Sequence, residues 1–337
     1  MFDRNIKRTY IIAEAGVNHN GDIETAKKLC LAAKEAGADA IKFQTWITEK
    51  IITKNVKQAD YQSENTGTDE SQFDMLKSLE LSYDEFREIK KYCDEIGIQF
   101  ISTADEADSL DFLIELGIPF IKIGSGDVGN VPYLRYIGNK GLPIILSTGM
   151  SGLADVELSL NALKEGGAKE IVLLHCTTSY PCPYEKVNLK AMDTLKNAFG
   201  LPVGYSDHTI GTEISIAAVA RGAVIIEKHF TLDRHMDGPD HIASTEPYEF
   251  KCLVEMIRNV EKAFGTGIKQ PTAEEKEISQ VVLKRIVAQR FIPADKIITG
   301  DDIAVKRNAL GIPANAWDLI IGTRAKKDYD VDEGIIL

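Results

Sequence analysis

The sequence predicts an α/β protein, a (β/α)8 TIM barrel followed by a small β-rich domain. Three observations predict this fold. Short β-branched apolar runs alternate with helical segments over about 265 residues, and eight such runs are present. Almost every run ends in a residue able to do chemistry, which is typical of the C-terminal face of a barrel. After Gly265 the pattern changes to a polar, glycine-containing stretch.

Helix signals separate the apolar runs. Asp22 can cap a first helix that ends near Gly37, and Ser82 with Glu85 forms a capping box for a later one. Eight parallel strands favour a closed barrel, while a doubly wound sheet is the structural alternative. The predicted strands are Tyr10 to Glu14, Ala40 to Gln44, Gln99 to Thr103, Phe120 to Gly124, Ile144 to Thr148, Ile171 to Cys176, Val203 to Ser206 and Val224 to His229.

The chain is predicted to hold two domains. Residues 1–265 form the barrel, residues 266–281 a linker, and residues 282–337 a second domain with strand-like runs at Arg285 to Gln289 and Ile303 to Lys306. Because so small a domain buries little core alone, we expect it to dock on a barrel, in its own chain or in a partner's.

Charge and cysteine content exclude several classes of protein. With 39 Lys and Arg against 51 Asp and Glu, the formal net charge is -12, which disfavours nucleic acid and anionic membranes as partners. No signal-type or membrane-spanning apolar run is present, so we expect a cytoplasmic protein. The five cysteines are scattered without a C-x-x-C pair, which predicts reduced thiols.

Two lysines indicate an anion site. Lys42 and Lys122 each lie inside an apolar run, where a lysine is either ion-paired or functional. Ammonium and hydroxyl groups at neighbouring strand ends all donate to oxygen, so together they suit a small polyanion. The hydroxyl residues concerned are Thr103, Ser125, Ser147 and Ser206.

A glycine pattern follows the fourth run but does not indicate a dinucleotide. Gly124-Ser-Gly-Asp-Val-Gly129 matches G-x-G-x-x-G, yet no acidic residue ends a strand about 20 residues further on. We interpret it as a tight turn that brings Lys122 and Ser125 to an anion.

Two histidines indicate a metal site. His208 and His229 end adjacent predicted strands, close enough in a barrel to share one ion. Glu14 and Asp240 are candidate oxygen donors near them. Mixed imidazole and carboxylate ligands without cysteine predict Mn²⁺ or Mg²⁺ rather than structural zinc.

Taken in order, the motifs resemble the sialic acid synthase family, which includes N-acetylneuraminate, legionaminate and pseudaminate synthases. The resemblance covers nearly the whole chain, and the C-terminal piece resembles the family's antifreeze-like (SAF) domain. The motifs are Ile12-Ala-Glu-Ala-Gly-Val-Asn-His-Asn-Gly21, Lys42-Phe-Gln-Thr45, Ile101-Ser-Thr103, Lys122-Ile-Gly-Ser-Gly126, Leu146-Ser-Thr-Gly-Met150, Tyr180-Pro-Cys-Pro183, Ser206-Asp-His208 and Gly238-Pro-Asp240 in the barrel, with Ile286-Val-Ala288, Val305-Lys-Arg307, Trp317-Asp318 and Ile321-Gly322 beyond it.

The resemblance implies an enzyme that condenses phosphoenolpyruvate with an N-acylated amino sugar, and a domain-swapped homodimer. It implies that phosphoenolpyruvate is held by Lys42, Thr103, Lys122, Ser125, Ser147, Ser206 and His208. His208 and His229 would bind Mn²⁺, and the sugar would be surrounded by Glu14, Gln44, Tyr180, Asp240 and Arg307, with Glu14, His208 and Asp240 as the catalytic residues. Arg307 is followed by Asn-Ala-Leu-Gly311, where the family typically has Pro-Gly-x-Gly, so its loop is expected to differ in shape.

Two other functions are open at this point: a phosphoenolpyruvate aldolase acting on a sugar phosphate, and a non-catalytic carbohydrate-binding protein. No arginine-rich strand end is present to hold a second phosphate. For the acceptor we expect N-acetylmannosamine first and the 6-deoxy-2,4-diacetamido sugar of legionaminate synthesis second. The deciding contacts are expected from Tyr180 to Tyr184 and from Ile47 to Asp74, where Tyr61, Gln62, Asn65 and Thr66 offer donors.

Overall fold

The computed structural model describes residues 8–58 and 71–336 and shows a closed barrel of eight parallel strands in sequence order. Strand β8 pairs with β1 and closes the sheet, so the barrel prediction is confirmed and the doubly wound alternative is wrong. Each predicted run contains a strand. The strands are β1 Tyr10–Gly16, β2 Ala40–Thr45, β3 Gln99–Ala104, β4 Ile121–Ile123, β5 Ile144–Ser147, β6 Ile171–His175, β7 Val203–Asp207 and β8 Ile225–His229.

Helices alternate with these strands, and their ends follow the sequence signals. The Asp22 side chain accepts a hydrogen bond from the Thr25 amide, and Ser82 with Glu85 forms the capping box. In the part of the chain that is described, no helix is long and apolar enough to cross a membrane. The α-helices of the barrel unit are α1 Ile23–Glu35, α2 Thr48–Ile51, α3 Gln72–Leu79, α4 Tyr83–Ile96, α5 Ala107–Glu115, α6 Val131–Gly138, α7 Leu153–Gly166, α8 Ala191–Phe199, α9 Glu213–Ala220 and α10 Pro247–Ala263.

An apolar layer fills the lower part of the barrel interior. Gly204 of β7 borders this layer, where an added Cβ would lie 2.6 Å from Leu174 Cδ2 and 2.6 Å from the Ile225 carbonyl oxygen, so only glycine fits. Side chains two residues further along a strand share its face, which places polar groups directly above the layer. The buried cluster consists of Ile12, Ala40, Ile101, Phe120, Ile145, Val172, Leu174, Val224 and Ile225.

Residues 265–337 form a second compact unit. Its elements are α11 Ala273–Val282, β9 Lys284–Ala288, β10 Ile303–Arg307 and α12 Trp317–Ile320. Strands β9 and β10 pair antiparallel and lie in the two predicted strand runs. A small core includes Ile286 and Tyr329, and the buried Asp302 carboxylate accepts hydrogen bonds from Arg290 and Lys296, each at 2.6 Å. The segment predicted as a linker therefore contains a helix, α11.

Candidate active site

A cavity of about 250 Å³ opens where the strands end, and one set of polar side chains lines it. Strand carboxyl ends meet at this face of a barrel, which is why residues far apart in sequence converge there. The cavity brings together every barrel residue that the sequence predicted for the site. These are Glu14, Lys42, Gln44, Thr103, Lys122, Ser125, Ser147, Tyr180, Ser206, His208, His229 and Asp240.

Glu14 and Lys42 form a buried ion pair at the base of the cavity. Glu14 Oε1 lies 2.7 Å from Lys42 Nζ, and Gln44 Nε2 donates to the same oxygen at 3.2 Å. Lys42 Nζ also donates to Thr103 Oγ1 at 3.3 Å. Gly16 follows a register shift in β1, and a Cβ there would lie 3.2 Å from Glu14 Oε1. The absence of a side chain at Gly16 leaves room for this network.

Lys122 lies next to a second buried carboxylate. Its Nζ donates to Ser147 Oγ at 2.9 Å and lies 3.6 Å from Glu227 Oε2. The Ser206 hydroxyl donates to Glu227 Oε1 at 3.0 Å, and Lys42 Nζ lies 4.0 Å from Glu227 Oε2. Both lysines therefore share one carboxylate, and each keeps a neighbouring hydroxyl directed into the cavity.

Burial and mutual charge set the proton affinities of these groups. Burial raises the pKa of Glu14 to about 7, because the opposing effect of Lys42 is smaller. Burial would also raise the pKa of Glu227, but Lys122 and Lys42 lower it to about 2. Burial lowers the pKa of Lys122, whereas for Lys42 the carboxylates of Glu14 and Glu227 outweigh burial and raise the pKa. The two lysines thus lie beside one ionised carboxylate, Glu227, and one carboxyl group, Glu14, that titrates near neutral pH.

Glu227 is a site residue that the sequence reasoning missed. It lies two residues before His229 in β8, so both side chains face the barrel interior, while Lys228 between them points outward to Asp207 at 2.9 Å. A charged residue at an inward position of a buried strand was the signal available in the sequence.

The two predicted histidines are neighbours. The ring centroids of His208 and His229 lie 5.3 Å apart, and His208 Nδ1 lies 2.7 Å from the Thr177 carbonyl oxygen. Because a carbonyl only accepts, Nδ1–H donates, and the lone pair of the His208 imidazole is on Nε2. His229 Nδ1 is buried without a hydrogen-bond partner in the described chain and lies 3.8 Å from Asp240 Oδ2.

This arrangement fits a divalent cation held mainly by two imidazoles. A backbone carbonyl that fixes one ring nitrogen is the usual support of a ligating histidine. Burial lowers the pKa of His208 and His229, so both rings are neutral, as metal ligands require. Within residues 8–58 and 71–336, no three His, Cys, Asp or Glu side chains form a closed ligand cluster. Oxygen ligands would therefore come from water and substrate.

Aromatic and acidic groups surround the histidines. The Tyr180 ring centroid lies 4.3 Å from that of His208 and 5.4 Å from that of His229. Burial raises the pKa of Asp240 to about 6. Ser125 Oγ accepts from the Gly149 amide at 2.9 Å, so its own proton is free to point toward the cavity or toward a nearby thiol.

Some sequence candidates lie elsewhere. His175, which ends β6, lines a separate cavity, and its Nε2 donates to the Val187 carbonyl at 2.7 Å. Its neighbour Cys176 lines both that cavity and the active-site cavity. Arg307 is exposed at the end of β10 in the second unit. Tyr61, Gln62, Asn65 and Thr66 lie outside the described residues.

Comparison with known proteins identifies the family of the chain. The profile described as the NeuB family matches residues 29–269. The chain is 48% identical over 330 residues to N,N'-diacetyllegionaminic acid synthase of Campylobacter jejuni, covering 97% of this chain and 99% of that protein. The chain belongs to the NeuB family. The Legionella pneumophila protein of the same description is 45% identical over 94% of this chain and 90% of its own.

A solved NeuB-family relative has the same fold. The structure of N-acetylneuraminic acid (sialic acid) synthetase from Leptospira borgpetersenii, in complex with citrate, matches with a TM-score of 0.70 and 36% identity. The match covers 80% of this chain and 90% of that chain. Family membership and the barrel therefore rest on sequence and structure together.

Proposed function

We propose that this chain condenses phosphoenolpyruvate with the open-chain form of an N-acylated amino sugar, giving a nine-carbon sugar acid and phosphate. It is a phosphoenolpyruvate-dependent transferase that forms a carbon–carbon bond. C3 of the enol attacks the aldehyde carbon, water adds at C2, and the resulting intermediate expels phosphate. This proposal places the reacting atoms in the cavity defined above.

The observation that carries the proposal is the pair Lys42 and Lys122 at the base of the cavity, each beside a hydroxyl. Although the chain has a net charge of -12, two neighbouring ammonium groups attract a small dianion locally. The lysines and hydroxyls would orient phosphoenolpyruvate and stabilise charge on the departing phosphate. The donors in this role are Lys42, Thr103, Lys122, Ser125, Ser147 and Ser206.

Three carboxyl groups are available for proton transfer. Glu14 and Asp240 have pKa values raised to about 7 and about 6, so each is able to exchange a proton near neutral pH. Glu227 stays ionised between the lysines and would hold them, or activate the water that adds at C2. Glu14 and Asp240 would hydrogen-bond the sugar, together with Gln44 and Tyr180.

His208 and His229 would hold Mn²⁺ or Mg²⁺. When bound, this ion supplies Lewis acidity at the aldehyde oxygen of the acceptor. The Thr177 carbonyl keeps His208 Nε2 directed away from the backbone, and Tyr180 covers both imidazoles. The protein's own part is to keep the two rings neutral and at a fixed separation.

The acceptor is proposed to be the 6-deoxy-2,4-diacetamido sugar, which was our second expectation. Relatives named for N,N'-diacetyllegionaminic acid share 48% and 45% identity with the chain, against 36% for the solved sialic acid synthetase. The cavity wall supports the same choice. Val17 and three residues of α3, Met75, Leu76 and Leu79, line it, and an apolar wall suits a C6 methyl better than a hydroxymethyl.

N-acetylmannosamine is the second candidate acceptor, because the Leptospira protein is named for N-acetylneuraminic acid. The two sugars differ at C4, acetamido against hydroxyl, and at C6, methyl against hydroxymethyl. An apolar pocket discriminates such changes by roughly 1 to 3 kcal/mol, which is about 10- to 200-fold.

Phosphate release tests the proposal. The protein is incubated with phosphoenolpyruvate, Mn²⁺ and either sugar, and free phosphate and product mass are measured. We expect phosphate and a nonulosonic acid, with kcat/KM at least about tenfold higher for the diacetamido sugar. Turnover of arabinose 5-phosphate instead would favour a sugar-phosphate aldolase. No phosphate release with either sugar would overturn the proposed function.

A further inference from the structure

Asp105 is a fourth carboxylate of the cavity, and the proposed function gives it no role. Glu14 pairs with Lys42, Glu227 accepts from Ser206, and Asp240 lies beside His229. Asp105 also lines the cavity and is partly buried, yet no donor in the described chain hydrogen-bonds its carboxylate. Nearby charge does not compensate for this, because Asp127 and burial together raise the pKa of Asp105 to about 7, against a smaller effect of Lys42.

The register of β2 and β3 fixes the height of Asp105 in the barrel. The Asp105 amide donates to the Thr45 carbonyl at 3.2 Å, so the ladder continues one residue past the end of β3. Residues two apart on a strand share a face, so Ile101 and Thr103 lie above one another, and Asp105, in the bend that directly follows β3, lines the same cavity. Two residues rise by about 6.6 Å along a strand. Asp105 therefore lies one layer above Thr103, which contacts Lys42.

We propose that Asp105 is an acceptor-binding residue whose carboxylate accepts a hydrogen bond from an N–H or O–H of the sugar. This inference rests on the proposed function, because it requires phosphoenolpyruvate on the lysine layer and the acceptor above it. A ligand in the upper layer meets β3 on one side and Tyr180 and Asp240 on the other. The acceptor is thereby held from two walls of the barrel.

The charges of the cavity favour an uncharged acceptor at this level. Among its described lining residues the only lysine or arginine side chains are Lys42 and Lys122, both in the lower layer near Glu14 and Glu227. A phosphorylated sugar would place its anion beside Asp105, whereas an acetamido N–H or a hydroxyl relieves an unpaired carboxylate. The chemical class that fits Asp105 is thus a neutral hydrogen-bond donor.

Steady-state kinetics of Asp105→Asn and Asp105→Ala test the inference. Each variant is assayed at pH 8.5 with Mn²⁺, phosphoenolpyruvate, and both N-acetylmannosamine and the diacetamido sugar. We expect the sugar KM to rise about tenfold or more for Asp105→Ala and less for Asp105→Asn, which keeps an acceptor oxygen. The KM for phosphoenolpyruvate should stay within about twofold of the wild type, a split that a general loss of structure does not produce.

Asp111→Asn is the matched control. Asp111 is a partly buried carboxylate of α5 that accepts from the Tyr136 hydroxyl at 2.5 Å and does not line the cavity. We expect its sugar KM to match the wild type. An unchanged sugar KM in both Asp105 variants, or an equal rise in the KM for phosphoenolpyruvate, overturns the inference.

A binding measurement distinguishes failure of the proposed function from failure of this inference. If wild-type protein releases no phosphate, that proposal fails, and saturation-transfer NMR of each sugar with the wild type and Asp105→Asn still decides the inference. Transfer to the wild type that weakens in the variant supports the role of Asp105, and equal transfer, or none, overturns it. If Asp105→Ala does not fold, the nearly isosteric Asp105→Asn carries the kinetic test.

Discussion

The Glu14 carboxylate and the Lys42 ammonium lie 2.7 Å apart, with both side chains almost completely buried. Even so, burial raises the pKa of Glu14 from 4.5 to about 7. A carboxylate next to a lysine ordinarily has a lowered pKa, so desolvation outweighs attraction here. The reason is that Lys42 is shared with Glu227, whose negative charge also acts on Glu14.

Glu14 should therefore make stability depend on pH. Because its folded pKa is raised, the folded protein binds a proton that the unfolded chain releases between pH 4.5 and about 7. The stabilisation is fully present below pH 4.5 and is lost as pH rises through about 7. The free energy of unfolding, measured in urea from pH 4.5 to 8, should therefore fall less steeply in Glu14→Gln. The difference from the wild type should be on the order of 3 kcal/mol.

Glu115→Gln, at an exposed position of α5, is the control and should leave the curve unchanged. Asp105 and Asp240 also have raised pKa values, so part of the decline persists in Glu14→Gln. Stability of Glu14→Gln that falls between pH 4.5 and 7 as steeply as in the wild type would show that Glu14 is ionised throughout.

Lys122→Met should weaken phosphoenolpyruvate binding. The change removes a donor to the substrate and leaves Glu227 with one lysine fewer, at a cost of about 2 to 4 kcal/mol in transition-state stabilisation. We expect the KM for phosphoenolpyruvate to rise, with kcat/KM lower by on the order of 100-fold. Lys169→Met, at an exposed position before β6, should match the wild type.

The double variant Lys122→Met/Glu227→Gln separates misfolding from lost binding. It removes the buried carboxylate that has lost one of its two lysines, so its melting temperature should recover toward the wild-type value while the KM for phosphoenolpyruvate stays high. Wild-type KM and kcat in Lys122→Met would mean that the lysine layer does not hold the anion.

The double variant His208→Ala/His229→Ala should lose divalent-ion dependence. Removing both imidazoles leaves no nitrogen ligand in the cavity among the described residues, so Mn²⁺ affinity and kcat should each fall by on the order of 100-fold or more. Binding is measured directly from the electron paramagnetic resonance signal of free Mn²⁺. The control is His235→Ala, which changes an exposed histidine in the loop after β8. Full turnover of the double variant in EDTA would contradict the metal assignment.

Local sequence signals predicted most of the barrel. The alternation of side chains along a strand depends only on nearby residues, and so does a helix cap such as Asp22. Both can therefore be recognised without knowledge of the tertiary structure. Lys42 and Lys122 were found because a charge inside an apolar run is conspicuous. Glu227 meets the same criterion, and reading β8 by its period of two would have found it.

Properties that depend on packing could not be predicted. Whether Glu14 or Glu227 carries the negative charge is decided by which lysines surround each carboxylate, and these lie on other strands. That no donor among the described residues pairs with the Asp105 carboxylate is visible only when the neighbouring strands are assembled. Met75 and Leu79, which line the cavity, lie on a short helix after β2, where the sequence predicts polar loop contacts.

We propose that the chain forms a domain-swapped homodimer, and α11 provides a direct test. Its Ile278, Val281 and Val282 are spaced to share one face, and they are 56%, 62% and 41% exposed. An apolar stripe of this kind on a helix without buried residues is typical of a surface covered in an assembly. A second copy of the chain is the occupant that the family resemblance implies.

Charges placed on that stripe should dissociate the dimer. Ile278→Glu/Val281→Glu is expected to elute as a monomer in size-exclusion chromatography with light scattering, because two carboxylates cannot be buried unpaired at an interface. Lys276→Glu/Gln280→Glu adds charges to the opposite face of α11 and should remain dimeric. If Arg307 of one copy serves the site of another, the stripe variant should also lose activity, as should a chain ending at Gly267. A monomeric wild type, or a fully active chain ending at Gly267, would refute the exchange of domains.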